Sequence, residues 1–257
     1  MPNTKIPDNW LECPQIATEA IEGVIPLKVP LSSKYRYPKE KEWCWSKALE
    51  HYPDIGLVID LTNTDRYYDK QELYDVDIDY IKTKMPGHGQ IPKRRQMNNL
   101  AEKISRFTAE HPDKQVAIHC THGFNRTGFL VCAYLKLHRG YTVPMAVATF
   151  AKIRQGGIYR TEIIQALYDF YHHEKITVAE VPKPIWHTKE KKSTHKKESL
   201  KKSMTFSNEK HSRSPPESSR EAAFLSASRN PLDEIDSKDT DTPVWIIPSR
   251  RKNISKK

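Results

Sequence analysis

The 257-residue sequence contains no run approaching about 18 consecutive apolar residues, the minimum for crossing a bilayer. Its opening stretch, MPNTKIPDNW, has no apolar segment of the kind a secretory signal requires. Neither membrane association nor secretion is therefore expected. The four cysteines, Cys13, Cys44, Cys120 and Cys132, lack paired spacing, which argues against a disulfide framework and suits a reducing compartment where a free thiol survives. No internal repeat is visible. Carboxylates at chelating spacing are also scarce. Asp75, Asp77 and Asp79 in DVDIDYIKTK alternate with Val76, Ile78 and Tyr80, the pattern of a half-exposed strand, and three same-face carboxylates without an added His or Glu are a weak chelate. No metal and no cofactor are expected.

A strong net charge is missing from most of the chain as well. Residues 1 to 185 hold 25 Lys/Arg against 22 Asp/Glu, whereas the stretch from Trp186 onward holds 17 against 10, so most of the net +10 sits on a tail. From about residue 176, Lys, Ser, Pro and His dominate and apolar periodicity disappears. Such a composition cannot offset the entropy of ordering by burial. The chain thus divides into a domain over 1–175, long enough to bury a full core, and a disordered basic tail over 176–257. HTKEKKSTHKKESLKK and PSRRKNISKK are basic clusters suited to nuclear import or to non-specific RNA attraction. VWII at 244–247 is an apolar island suited to docking a partner.

Within the domain, Trp10 and Leu11 read as an anchor, and VIPLKVPL reads as an edge strand because Pro26 and Pro30 cannot donate to a ladder. Lys28 in that strand reads as solvated. KEWCWSKALE (41–50) reads as a short helix carrying Trp43 and Cys44 inward. Ile55 to Leu61 is nearly continuous in apolar residues, which suits a strand buried on both faces of a parallel sheet. Asp60 near its carboxyl end leads into a polar loop, where ligands of open α/β sheets sit; Asp60 and Asn63 can equally do no more than shape that turn. Residues 93–111 form an amphipathic helix with Met97, Leu100, Ile104 and Phe107 inward and Lys93, Arg94 and Arg95 at its start. A helix begins at Thr142 or Val143 with Pro144, packs Met145, Val147, Phe150 and Ile153, and breaks at Gly156 and Gly157. A last helix spans about Thr161 to His172. The class is α/β: a central, mostly parallel twisted sheet flanked by helices.

The chemistry concentrates in VAIHCTHGFNRTGFLVCA (116–133). Val116 to Ile118 read as a buried strand, and Phe129, Leu130, Cys132, Ala133, Tyr134 and Leu137 recur at helical spacing after a polar, Gly-punctuated loop. Successive loop amides and a helix N-terminus converge on one point there, forming an anion site. The same field lowers the pKa of a thiol. Cys13, Cys44 and Cys132 read as small buried hydrophobes. Cys120 differs because Arg126 follows it and polar residues surround it, which points to a nucleophile inside its own anion cradle.

HCTHGFNRTG fits the Cys-x5-Arg-Ser/Thr signature and resembles the cysteine phosphatase superfamily. Its inner residues, with IDLTNTDRYYD (59–69) and GIYR (157–160), resemble the RNA 5'-triphosphatase domain of metazoan mRNA capping enzymes and its standalone relatives, over about residues 6–175. The resemblance implies that Cys120 attacks a γ-phosphorus, that Arg126 clamps two equatorial oxygens, and that the amides of Thr121, His122, Gly123, Phe124, Asn125 and Arg126 bind the phosphate. It further implies that Thr127 hydrogen-bonds the sulfur, that His119 and Asn125 hold the loop, and that Asn63, Arg66 and Tyr67 contact RNA or the loop. Many superfamily members place an aspartate roughly thirty residues before the nucleophile; His88 stands there instead, in MPGHGQIPK, and reads as a solvent-exposed loop residue or an assistant to departure. A terminal phosphate, with a second pKa near 6, departs as an anion without that proton, so the missing acid favours phosphoanhydride hydrolysis. The implied activity is a metal-independent RNA 5'-triphosphatase acting on 5'-triphosphate RNA in the nucleus, at the first step of mRNA capping. The alternatives are a dual-specificity protein or phosphoinositide phosphatase, an RNA phosphatase that also removes the β-phosphate, and an inactive RNA-end-binding module. No Lys-x-Asp-Gly motif follows the domain, so either the protein is a standalone triphosphatase or its partner is a separate guanylyltransferase or the transcription machinery.

Overall fold

The computed structural model describes residues 4–87, 89–188 and 246–248. His88, both basic clusters apart from residues 187, 188 and 248, and the first two residues of the apolar island lie outside them. In chain order the elements are β1 (Val24–Lys28), α1 (Trp45–His51), β2 (Ile55–Asp60), α2 (Gln71–Tyr74), β3 (Asp79–Lys82), α3 (Arg94–Glu110), β4 (Gln115–Cys120), α4 (Asn125–His138), α5 (Val143–Ile153), α6 (Thr161–Tyr171), β5 (Ile176–Val178), α7 (Ile185–Thr188) and β6 (Ile246–Pro248). Among the described residues no helix is long and apolar enough to cross a membrane.

Four strands form one sheet in the order β1-β4-β2-β3, and all three pairings are parallel. β1 lies at an edge, which accommodates Pro26. Alternation along β4 divides the core. Val116 and Ile118 face a layer built from α3, α4, α5 and α6, while Ala117 faces Trp10, Trp43, Trp45 and Tyr68 on the opposite side. α4 lies deep in the first layer, with every residue from Thr127 to Leu135 buried. The register sets Lys28 opposite Cys120 and Asp60 opposite His119, so the carboxyl ends of three strands meet at one edge. That edge is where open parallel sheets bind ligands.

Local chemistry fixes the helix ends. The Thr142 hydroxyl accepts from the Met145 N–H and Pro144 occupies the first turn of α5. Gly156 and Gly157, both at positive φ, then turn the chain away.

Several sequence expectations require correction. α1 starts at Trp45; Trp43 is buried ahead of it, and Cys44 is a half-buried cap residue. Residues 75–78 are not strand, because the Ile78 and Val76 amides close a turn on the Leu73 carbonyl and leave Val76 exposed, so β3 is only four residues long. Leu137 and Met145 are exposed rather than inward. Lys28 is buried, since the Trp10 and Cys13 carbonyls accept from its ammonium and the Trp10 ring lies 3.8 Å below it. Ordered structure also continues past residue 175. β5 pairs antiparallel with β6, so Ile246 and Ile247 of the apolar island meet a strand of their own chain, and α7 carries Trp186 onto Phe124 and Tyr159.

Gly128 shows how tightly α4 is seated. A Cβ there would come within 2.6 Å of both Ile158 and Phe150. Gly128→Ala is expected to cost about 1–3 kcal/mol by overpacking, read as a lower urea midpoint at unchanged slope; an unchanged midpoint would show that this layer is looser than described.

Candidate active site

The loop from Cys120 to Arg126 joins the end of β4 to the start of α4. Its carbonyls are engaged from outside. Thr121 O accepts from the Val29 amide at 3.3 Å, His122 O from Arg154 Nη2 at 2.9 Å, and Gly123 O from Arg154 Nε at 3.3 Å. With carbonyls held outward, the amides face the interior of the loop, and those of Gly123 and Thr127 reach the Cys120 sulfur. Gly123 has φ +74°, and a Cβ would collide with the Leu27 carbonyl, so only glycine lets the loop lie this close to β1.

Cys120 is 3% exposed, and burial alone would raise its pKa. The net shift is nevertheless downward, because the Arg126 guanidinium, the Thr127 hydroxyl and the two amides favour the thiolate. The Thr127 hydroxyl is buried and meets no hydrogen-bond partner among the described residues. It lies where it favours the ionised sulfur, since a thiolate is a stronger acceptor than a thiol. Cys13, by contrast, is pushed up to about 12 by burial, and burial drives Cys132 higher still.

Arg126 is held by the carbonyls of Leu61 at 3.0 Å and Met85 at 2.8 Å, and by the Thr121 hydroxyl at 3.1 Å. Asn125 Oδ1 accepts from the amides of Tyr159 and Arg160, both at 3.1 Å, tying the GIYR segment to the loop. His119 is fully buried and lies behind the loop, with Nε2 2.7 Å from the Tyr68 hydroxyl and Nδ1 3.4 Å from the Cys120 carbonyl. Burial lowers its pKa. The neutral ring is best satisfied with its proton on Nδ1, facing that carbonyl and, at 3.8 Å, Asp60.

Asp60 is buried and accepts from Lys82 Nζ at 2.7 Å, Tyr80 at 2.9 Å, and both the amide and hydroxyl of Thr62 at 2.7 Å. Burial opposes its ionisation, but His119, Lys82 and Thr62 carry its pKa below the usual value. Asp60 is thus a structural hub with no edge on the Cys120 cavity. Asn63 is exposed beside Arg126 and Tyr67. Arg66 donates to the Lys5 carbonyl at 2.7 Å and stacks on Tyr67, whose ring lines the cavity. The His122 ring meets the Asp8 carbonyl at 2.8 Å, and burial pulls its pKa down to about 4, so it contributes no charge at neutral pH. Phe124 is wholly buried under the Arg154 guanidinium and offers the site only its amide.

The cavity over Cys120 measures about 440 Å³ and is lined by Cys120, Thr121, His122, Asn125 and Arg126 at its floor. Tyr159, Arg160 and His187 stand on one side, and Asp8 and Asn9 on another, with Asn9 at φ +58°. Sequence reasoning gave no role to Arg154, Asp8 or Asn9, and took His187 only as the first residue of a basic cluster. The GIYR resemblance did single out the segment holding Tyr159 and Arg160. Among the described residues no three His, Cys, Asp or Glu side chains are grouped so as to hold a metal.

Residues 40–173 match the family model described as dual specificity phosphatase, catalytic domain. The chain is 40% identical over 191 residues to an mRNA-capping enzyme of Caenorhabditis elegans, covering 70% of this chain and 30% of that one; it therefore spans less than a third of that relative. It is 32% identical over 187 residues to an RNA/RNP complex-1-interacting phosphatase homolog of Caenorhabditis elegans, covering 68% of this chain and 80% of that one. The crystal structure of Tk-PTP in its active form is similar in fold, with a TM-score of 0.50 and 20% identity over 61% of this chain and 97% of that one.

Alkylation by iodoacetamide at pH 7 is expected to modify Cys120 well before Cys13 or Cys132, with a rate that falls as pH drops through the lowered thiol pKa and that Arg126→Ala diminishes. Equal labelling of the three would contradict the assignment. Asp60→Asn is expected to cost about 3 kcal/mol, the low end for removing one partner of a buried ion pair, since Lys82 keeps some contact with water. Because the folded pKa of Asp60 is depressed, its contribution is present above about pH 4 and is lost as pH falls through the folded value. The difference between variant and parent in urea titrations should therefore shrink in acid; a constant gap would separate the stability from the ionisation.

Proposed function

The chain belongs to the dual specificity phosphatase catalytic-domain family, within the cysteine phosphatase superfamily, and from that premise we propose that it is a metal-independent RNA 5'-triphosphatase. The observation that carries this reading is a cavity of about 440 Å³ above a lowered-pKa thiol and a clamped arginine, with Arg160 at its side. Such a volume falls in the range of sites that enclose whole small ligands, about 300–1,000 Å³, so it accommodates a polyphosphate end rather than one phosphate alone. The names of the two Caenorhabditis relatives support RNA as the substrate class.

The Cys120 thiolate attacks the γ-phosphorus in line with the bridging oxygen. The S–P bond forms, the bond from phosphorus to the bridging oxygen breaks, and its electron pair leaves on the β-phosphate. That group departs as an anion, so the 85–93 loop needs no acid. The charge spread over the γ-oxygens meets Arg126 and the loop amides, which is the electrostatic work a metal performs elsewhere. Water then attacks the cysteinyl-phosphate, its protons stay with the released phosphate, and the thiolate re-forms against the Thr127 hydroxyl. The product, a 5'-diphosphate end, is the acceptor a separate guanylyltransferase requires. We place this step with mRNA capping, in the nucleus.

Purified protein given RNA labelled at the γ- or β-phosphate is expected to release the γ-label and retain the β-label, in EDTA as in its absence. Cys120→Ser is expected to lower turnover by roughly ten-thousand-fold or more while RNA affinity persists. Loss of activity on chelation, release of both labels, or faster release from phosphotyrosyl peptides than from RNA would each overturn this reading.

A further inference from the structure

The segment beyond α6 supplies a wall of the cavity. Val181 is buried and its amide donates to the Thr161 hydroxyl at 3.0 Å, which fixes the chain as it runs back toward the phosphate loop. In α7, Trp186 packs 5.1 Å from Phe124 and 5.5 Å from His122, ring centre to ring centre. His187 follows, 4.9 Å from Tyr159 and 5.7 Å from Trp186. A continuous array of rings therefore runs from the loop that surrounds Cys120 to the cavity wall, and His187 lines the cavity itself.

We propose that His187, backed by Tyr159 and Trp186, is a stacking platform for the nucleobase of the substrate's 5'-terminal nucleotide. This rests on the triphosphatase reading and extends it to the nucleoside. With the γ-phosphate at Cys120 and the chain of phosphates passing Arg160, the first nucleoside arrives beside His187. That ring packs against Tyr159 and Trp186, and it lines the cavity while only half buried. Burial, together with Lys183 and Arg160 nearby, keeps the imidazole neutral at physiological pH, so it presents a flat π surface without charge. Stacking on such a surface tolerates any base, because every base has a π face. Phe124 is covered by Arg154, Tyr159 and Trp186, so its burial does not require His187.

The test compares kcat and KM of the full-length protein on a 5'-triphosphate RNA oligonucleotide and on inorganic tripolyphosphate, which presents a terminal phosphoanhydride without a nucleoside. His187→Ala is expected to lower the ratio of kcat/KM for RNA to that for tripolyphosphate by roughly tenfold or more, chiefly through a higher KM for RNA. His187→Phe is expected to restore the ratio. An unchanged ratio in His187→Ala, or a lowered ratio that His187→Phe leaves unrestored, would overturn the platform while leaving the triphosphatase reading intact. Failure of the parent protein to release phosphate from the RNA would instead overturn both.

Discussion

A loop that turns its amides inward toward an anion must turn its carbonyls outward, and in a buried setting each of those carbonyls needs a donor. Here the donors are the Val29 amide and, above all, Arg154. Its guanidinium is 1% exposed and serves four carbonyls, those of Pro14, Ile16, His122 and Gly123. These partners and the Phe124 ring 4.3 Å away disperse its charge, without a carboxylate among them. Burial lowers its pKa only to about 10, so it remains a cation behind the loop at neutral pH. Lys28 stands on the same side, pulled down to about 8 by burial and protonated for the most part at neutral pH. Arg154 behind the loop and the Cys120 sulfur thus favour each other's charged forms.

A second layer fixes where the loop begins. β2 and β4 are adjacent and in register, so Asp60 and His119 arrive side by side at the sheet's carboxyl edge. Asp60 gathers Lys82, Tyr80 and Thr62, while His119 contacts the Cys120 carbonyl and the Tyr68 hydroxyl. Cys120 is thereby anchored from its own strand, from the neighbouring strand and from the aromatic layer beneath. Rigidity at this point matters because a charge-stabilising site acts only while its dipoles stay aimed.

Local patterns of sequence carried the strand, loop and helix around Cys120, the buried strand at Ile55, the helix over 93–111 and the break at Gly156. Each rests on neighbours within a few residues. What stayed hidden depends on partners far away. Lys28 looks like a solvated charge and Arg154 draws no notice, because nothing nearby reveals acceptors as distant as Pro14, 140 positions before Arg154. Asp60 sat where ligands bind, and only the register with His119 shows that it faces inward instead. Residues 75–78 alternate like a strand, yet the preceding short helix needs them to close its last turn. His187 escaped notice because the polar shift at about 176 masked an aromatic pair that becomes meaningful only against Tyr159 and Phe124.

In the proposed reaction a thiolate, held ionised by this environment, takes the γ-phosphoryl group onto sulfur before water attacks. The stereochemical course of hydrolysis distinguishes this from direct attack by water. A 5'-triphosphate RNA whose γ-thiophosphate is made chiral with oxygen isotopes, hydrolysed in isotopic water, should yield thiophosphate of retained configuration, because two successive in-line displacements invert twice. Net inversion would mean that water attacks phosphorus in a single step, and Cys120 would then not be the nucleophile.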